Sequence, residues 1–338
     1  MRAATIAEFG GPEGVDVTET AEPKPEAGEV RLDVEACALN RHDLWILEGE
    51  SFIGRGALPF VTGVDVAGIV EAVGEGVRSV EPGDRVLVCP NVTCGTCEFC
   101  REGPENLCAR FTLFHGGLAE RATVDADRLI AIPEGIDAAE AAALPVAYMT
   151  AWHMLRRADA GPGDLILVPG ATGGVGVATV QLADVIGARP VGTSTSRAKL
   201  DRLETAGAVG TIASGNPEEI ESEMGRFDAP AVVVNHLGGA YTGMGLSVLK
   251  RGGVMTVCGR TAGGRSEIDL TGFFLAHKRI VGSTMGTQGD LETVLGIVSE
   301  ERFRPPIHGE YALDDTDKAF AAMQDRTAFG KVVVRPNE

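Results

Sequence analysis

The chain has 338 residues, 44% of them hydrophobic and 23% charged, with seven cysteines. At about 100–200 residues per domain this is room for two domains with ordinary cores, and it excludes a disordered chain or a short disulfide scaffold. Thirty Lys and Arg stand against 48 Asp and Glu, a net charge of −18 spread along the chain, which argues against nucleic acid or an anionic membrane as partner.

Lysine is confined to Lys24, Lys199, Lys250, Lys278, Lys318 and Lys331, with arginine supplying the rest of the positive charge. Such a surface fits either a halophilic protein, in which salt screens the self-repulsion, or an acidic protein from a high-GC mesophile. No apolar run reaches the roughly 18 residues needed to span a bilayer, and residues 1–11 lack the apolar stretch of a secretory leader. A cytoplasmic protein acting on a small molecule is the expectation.

In chain order, the first third reads as short strands punctuated by turns. Val30, Leu32 and Val34 alternate with charged neighbours, and further candidates run over 68–73 and 84–88, the latter entered through Pro82-Gly83. This pattern predicts an antiparallel, barrel-like domain. From about Asp164 it changes to apolar strand candidates at 165–168, 190–192, 231–234, 254–257 and 280–281, with helices best signalled at 175–187 and 240–250. Alternation of that kind predicts a parallel sheet with helices on both faces. The last segment, helical over 315–325 and then a strand at 331–334, is free to return to the first domain.

The strand 165–168 runs into Gly170-Ala171-Thr172-Gly173-Gly174-Val175-Gly176 and then a helix. Small residues suit a backbone that turns sharply, approaches a pyrophosphate and aims helix N-terminal N–H groups at it, so this turn predicts dinucleotide binding. The second strand ends in Thr193-Ser194-Thr195-Ser196-Arg197-Ala198-Lys199. An NAD site offers a carboxylate at that point to the ribose 2′-hydroxyl. Here hydroxyls followed by Arg197 and Lys199 favour a 2′-phosphate, hence NADP(H), although the two cations also suit the solvated first turn of a helix.

Four cysteines fall together as Cys94, Cys97, Cys100 and Cys108. In a reducing compartment this spacing predicts a tetrahedral thiolate site for structural zinc, closed to substrate because all four positions are sulfur. The three close cysteines also resemble an iron–sulfur run, but the fourth follows after seven further residues. Cys37, Cys89 and Cys258 read as core residues.

Together these segments resemble the zinc-type alcohol dehydrogenase superfamily, the medium-chain dehydrogenase/reductases, over essentially the whole chain. The resemblance rests on residues 38–45 (Ala-Leu-Asn-Arg-His-Asp-Leu-Trp), 63–70 (Gly-Val-Asp-Val-Ala-Gly-Ile-Val), the cysteine lobe, the glycine turn and 329–334 (Phe-Gly-Lys-Val-Val-Val). It implies an α/β fold: a GroES-like antiparallel β-barrel catalytic domain at 1–146 and 286–338, a doubly wound Rossmann domain at 147–285, an active site in the cleft between them, and a homodimer or homotetramer paired through the sheet edge near 278–285. It also implies that Asn235 and His236 lie near the nicotinamide ribose, and that Thr150, Gly259, Arg260, Met285 and Lys331 belong to cofactor-lining segments.

Departures from the family pattern bear on the chemistry. Where the alcohol dehydrogenase branch carries catalytic zinc ligands, this chain has Asn40, Val64 and Val146, with the neighbouring acid kept as Asp65. Valine ligates no metal and a lone Asn is a poor zinc ligand. Structural cysteines without catalytic ligands resemble the quinone and enone or enoyl reductase branches, which implies reduction of an activated alkene or quinone. In that reading Asn40 donates its amide to a substrate oxygen, His42 delivers a proton and Asp43 anchors the loop. His115 and His153 read as packing or loop residues. Two alternatives stand beside it: an alcohol dehydrogenase with a metal site rebuilt from Cys37, His42 and Asp65, and an NADPH-binding structural or sensing protein without turnover.

Overall fold

Val30, Leu32 and Val34 are fully buried on one face of the strand Glu29–Ala38, while Arg31, Asp33 and Glu35 on the other face are partly exposed. In the computed structural model, which describes residues 1–51 and 53–338, this ten-residue strand sits at the centre of a seven-stranded sheet. Asp65–Val73 pairs antiparallel along one side of it. Arg121–Asp125 takes the first half of the other side and Lys331–Arg335 the last. Arg85–Val88 and Leu129–Ala131 extend the sheet outward, and Ile307–Ala312 lies parallel to Lys331–Arg335 at the opposite edge. The pairing of Glu29–Ala38 with Asp65–Val73 slips register twice, the bulges that let a sheet curl into a barrel. Gly68 lies in this curved stretch: a Cβ there would come within 2.2 Å of the Asp33 carbonyl oxygen.

The barrel closes over Leu32, Leu39, Leu44, Leu47, Val66 and Val334, and the helix Thr316–Gln324 adds Phe320 to the same core. The C-terminal segment therefore folds with the N-terminal one, and residues 1–146 and 287–338 form one compact unit.

Residues 147–286 form the second unit. Its six strands are all parallel, in the order Gly210–Ile212, Arg189–Thr193, Leu165–Val168, Val232–Asn235, Val254–Val257, Arg279–Gly282. Leu165–Val168 is buried throughout, which explains its uninterrupted apolar sequence. From that strand the chain moves outward through Arg189–Thr193 and Gly210–Ile212, then crosses back to pair Val232–Asn235 on the other side. The carboxyl end of Leu165–Val168 is thus the switch point of the sheet, where open α/β folds bind their ligands. At the far edge, Arg279–Gly282 and the helix Leu270–Leu275 leave Ile280, Leu270, Phe274 and Leu275 exposed. Among the described residues, no helix is long and apolar enough to cross a membrane.

Candidate active site

The strand Glu29–Ala38 ends just before Asn40, which caps the helix Arg41–Leu47: its backbone N–H donates to Asp43 Oδ2 at 2.8 Å. Its side chain is committed at both ends. Nδ2 donates to Asp65 Oδ2 at 2.8 Å and to the Ala38 carbonyl at 3.3 Å, while Oδ1 accepts from Lys331 Nζ at 2.6 Å. The Lys331 ammonium also lies 3.0 Å from Asp65 Oδ2, and Asp65 Oδ1 accepts the Val146 N–H at 3.0 Å. The ion pair is sealed, with side-chain exposures of 3% for Lys331 and 0% for Asp65. Burial raises the Asp65 carboxyl above the usual range, against the pull of Lys331, Asn40 and the Val146 N–H. Two expectations change here. The Asn40 amide has no N–H left to offer a substrate oxygen, and Lys331 is turned inward onto Asp65.

Asp43 is fully buried and organises the neighbouring loops. Its Oδ1 accepts the Thr62 hydroxyl at 2.6 Å and the Gly63 N–H at 3.1 Å. The Thr62 carbonyl in turn accepts the N–H groups of Gly116 and Leu118, and the Gly63 carbonyl accepts that of Gly117. These bonds bring His115 over His42, their rings stacked at 5.3 Å between centroids and 28° between planes, with Phe60 edge-on to His115 at 5.2 Å. Burial pushes the His115 imidazole down to about 4; the charge of Asp43 opposes that shift and His42 adds to it. The sequence reading missed this pairing, because nothing local links positions 42 and 115. Cys37 lies behind the loops, fully buried, its thiol raised well above the ordinary value by burial and by the charges of Asp43 and Asp65.

Among the described residues, one group of three or more His, Cys, Asp or Glu side chains brings its ligand atoms together: Cys94, Cys97, Cys100 and Cys108, all within 4.8 Å of one another. Cys94 and Cys100 sulfurs lie 3.8 Å apart and those of Cys97 and Cys100 3.4 Å. A tetrahedral zinc with Zn–S bonds of about 2.3 Å needs sulfurs roughly 3.8 Å apart, so the donor set fits such an ion. The backbone N–H groups of Cys97 and Arg110 point at the Cys94 and Cys108 sulfurs. Hydrogen bonds from Thr96, Cys97 and Arg110 draw the Cys94 thiol down to about 5, favouring the thiolate a metal requires.

In the other unit, the turn after Leu165–Val168 leads into the helix Gly174–Val185, capped by Gly173. Gly170 takes φ +65°, the left-handed region, and its N–H donates to Thr193 Oγ1. The Ala171 N–H donates to the Thr193 carbonyl. A Cβ on Gly176 would lie 2.6 Å from Ala171 Cα, whereas one on Gly173 would meet nothing within 4 Å. The turn is therefore packed tight behind and open in front, the shape a pyrophosphate on a helix N-terminus requires. Thr172 and Ser194 hydroxyls lie 3.3 Å apart, and the Ser196 N–H donates to Ser194 Oγ. Thr195 and Arg197 are exposed beside them and Lys199 is half-buried. Val175 lies in the first turn of the helix.

Asn235 ends the strand Val232–Asn235. Its Oδ1 accepts from Leu237 and Gly238 N–H and its Nδ2 donates to Thr242, so the side chain braces its own loop. His236 lies against that glycine turn, its imidazole lowered to about 4 by burial. Gly259 packs on the His236 carbonyl, Arg260 is exposed, and Thr150 meets Met285, which adopts a φ of +52°.

The alcohol dehydrogenase GroES-like domain model matches residues 26–134, and the zinc-binding dehydrogenase model matches residues 174–300. The chain is 32% identical to an acryloyl-coenzyme A reductase of Metallosphaera sedula over 99% of both chains. It is 31% identical to a quinone oxidoreductase of Rattus norvegicus, covering 96% of this chain and 93% of that one. The solved structure of an NAD-dependent alcohol dehydrogenase superposes with a TM-score of 0.91 at 33% identity, over 99% of this chain and 100% of the other.

The partly buried His115 sets an expected acid sensitivity. His115 titrates near 4 in the folded chain against about 6.5 when unfolded, so between those values the unfolded chain binds the extra proton. Stability is intact above about pH 6.5 and falls, by an order of 2–3 kcal/mol, as the pH drops to about 4. Urea midpoints at pH 7 and pH 5 check this: His115→Phe should lose less between the two than the unaltered chain. An equal loss in both would remove His115 as a source of the sensitivity.

Proposed function

Because the chain belongs to the medium-chain dehydrogenase/reductase superfamily, whose members are NAD(P)-dependent oxidoreductases, we propose that it uses NADPH to reduce an activated carbon–carbon double bond, in an enone or enoyl thioester, or a quinone, without a catalytic zinc. The observation that carries this reading is the closed Asn40–Asp65–Lys331 network. It holds the one acid left at the family's metal position, beside Val64 and Val146, in bonds to protein groups. The names of the acryloyl-coenzyme A reductase and quinone oxidoreductase relatives support the same substrate class.

Reducing a simple ketone concentrates charge on one oxygen, which a Lewis acid stabilises. Conjugate reduction spreads that charge over the carbonyl and the α-carbon, and hydrogen-bond donors then suffice. When bound, the reduced nicotinamide supplies a hydride to the β-carbon. The chain's own task is to deliver a proton to the α-carbon, and His42, held in the first turn of its helix beside the buried Asp43, is the group assigned to it. The 147–286 unit supplies the coenzyme cradle: the glycine turn for the pyrophosphate, and Thr172, Ser194, Ser196, Arg197 and Lys199 for a 2′-phosphate. Cys94, Cys97, Cys100 and Cys108 would hold one structural zinc, which keeps their lobe folded.

An acceptor panel tests the central reading. Enones, enoyl thioesters and quinones should turn over with NADPH while simple ketones and alcohols do not, and mild chelation should spare activity in a protein that carries one zinc per chain. His42→Ala should lower turnover by about 10²–10⁴-fold with little change in NADPH binding. Two metal equivalents, with alcohol oxidation restored to a chelated sample by added Zn²⁺, would instead establish an alcohol dehydrogenase with a rebuilt metal site. For the coenzyme, Ser194→Asp should swing preference toward NADH, because a carboxylate repels the 2′-phosphate and accepts from the 2′-hydroxyl. An unaltered chain that already prefers NADH would refute the assignment.

A further inference from the structure

The stacked histidines of the first unit come from a helix and a separate loop that share one anchor. His42 immediately precedes Asp43; His115 immediately precedes Gly116, whose N–H reaches the carbonyl of Thr62; and the Thr62 hydroxyl closes the circuit on Asp43 Oδ1 at 2.6 Å. Two further bonds, Leu118 N–H to the Thr62 carbonyl and Gly117 N–H to the Gly63 carbonyl, hold the second loop against the first. The space behind these loops is filled: a Cβ on Gly117 would lie 2.3 Å from Val66 Cγ2 and 2.9 Å from Cys37 Sγ. On this frame the two imidazoles stack 28° from parallel, and Phe60 meets His115 in a T-shaped contact, 5.2 Å between centroids and 66° between planes.

We propose that His115 is a positioning residue for the reduction: its ring, wedged by Phe60, fixes the plane of the His42 imidazole so that the proton leaves in one direction. The inference rests on the reading of His42 as proton donor. An imidazole on a helix rotates about χ1 and χ2, and transfer to a single carbon requires one of those orientations. Loss of the stacking partner removes that constraint on the plane of the ring, at a cost in rate rather than in coenzyme affinity. Because the contact is made by a flat ring face, a phenyl group in place of the imidazole preserves it. Asp43 on the helix and Phe60 on a packed loop are among the groups that face the pair.

The test is steady-state kinetics in H₂O and D₂O on the full-length chain with an enone acceptor, together with NADPH titration by fluorescence, for His42→Ala, His115→Ala and His115→Phe. His115→Ala should lower kcat about tenfold to a hundredfold and change the solvent isotope effect, with NADPH affinity unchanged, and His115→Phe should restore kcat to within about threefold. Impairment by His42→Ala with His115→Ala at full kcat would overturn the positioning role while leaving the proton donor in place. So would His115→Phe as impaired as His115→Ala, provided both keep the thermal stability and NADPH affinity of the parent. Full activity in His42→Ala would sink the donor itself, and the inference with it.

Discussion

The buried contact between Lys331 and Asp65 is a strong constraint on the unit formed by residues 1–146 and 287–338. An ammonium and a carboxylate taken out of water are tolerated only when every remaining donor and acceptor is met, and removal of one partner of such a pair costs about 3–5 kcal/mol. Asn40 and the Val146 N–H meet most of that demand here. The four residues belong to the turn that follows the central strand, its antiparallel neighbour, the last segment before the second unit and the C-terminal strand. One polar network thereby locks the C-terminal return into place. It also spends the carboxylate, and with it the amide of Asn40.

The chemistry proposed for the chain follows from that expenditure. On the proposed reading, Val64 and Val146 stand where the alcohol dehydrogenase branch places metal ligands, and a site without that Lewis acid would suit substrates that spread charge by conjugation. What remains beside it is the histidine pair, held by Asp43 rather than by Asp65. The two aspartates divide the work: one neutralises a buried cation, and the other ties the helix that carries His42 to the loops beside it.

Features whose parts lie close together in the chain were legible in the sequence. The glycine turn joins a strand to a helix within a dozen residues, and the four cysteines span 94–108, so spacing alone announced both. The alternation of Val30, Leu32 and Val34 and the apolar run at 165–168 likewise marked a half-buried and a fully buried strand. Gly210–Ile212 escaped notice because three residues with a single fully buried side chain carry no period. The polar networks escaped for a different reason. Lys331 and Asp65 are 266 positions apart, and the assignment of Asn40 as a donor to substrate failed because its partners are supplied only by the folded sheet. Pattern reading sees which side chains are polar; it does not see which of them are already spoken for.

The central claim is that a hydride goes to carbon conjugated with a carbonyl, with the second hydrogen drawn from the protein's acid. Turnover of an enone with NADPH deuterated at the transferred position, in ordinary water, locates both hydrogens by mass spectrometry and NMR of the product. The account predicts one deuterium at the β-carbon, protium at the α-carbon and an intact carbonyl. Deuterium on the carbonyl carbon of an alcohol product would contradict it and place the chain with the carbonyl reductases of its family.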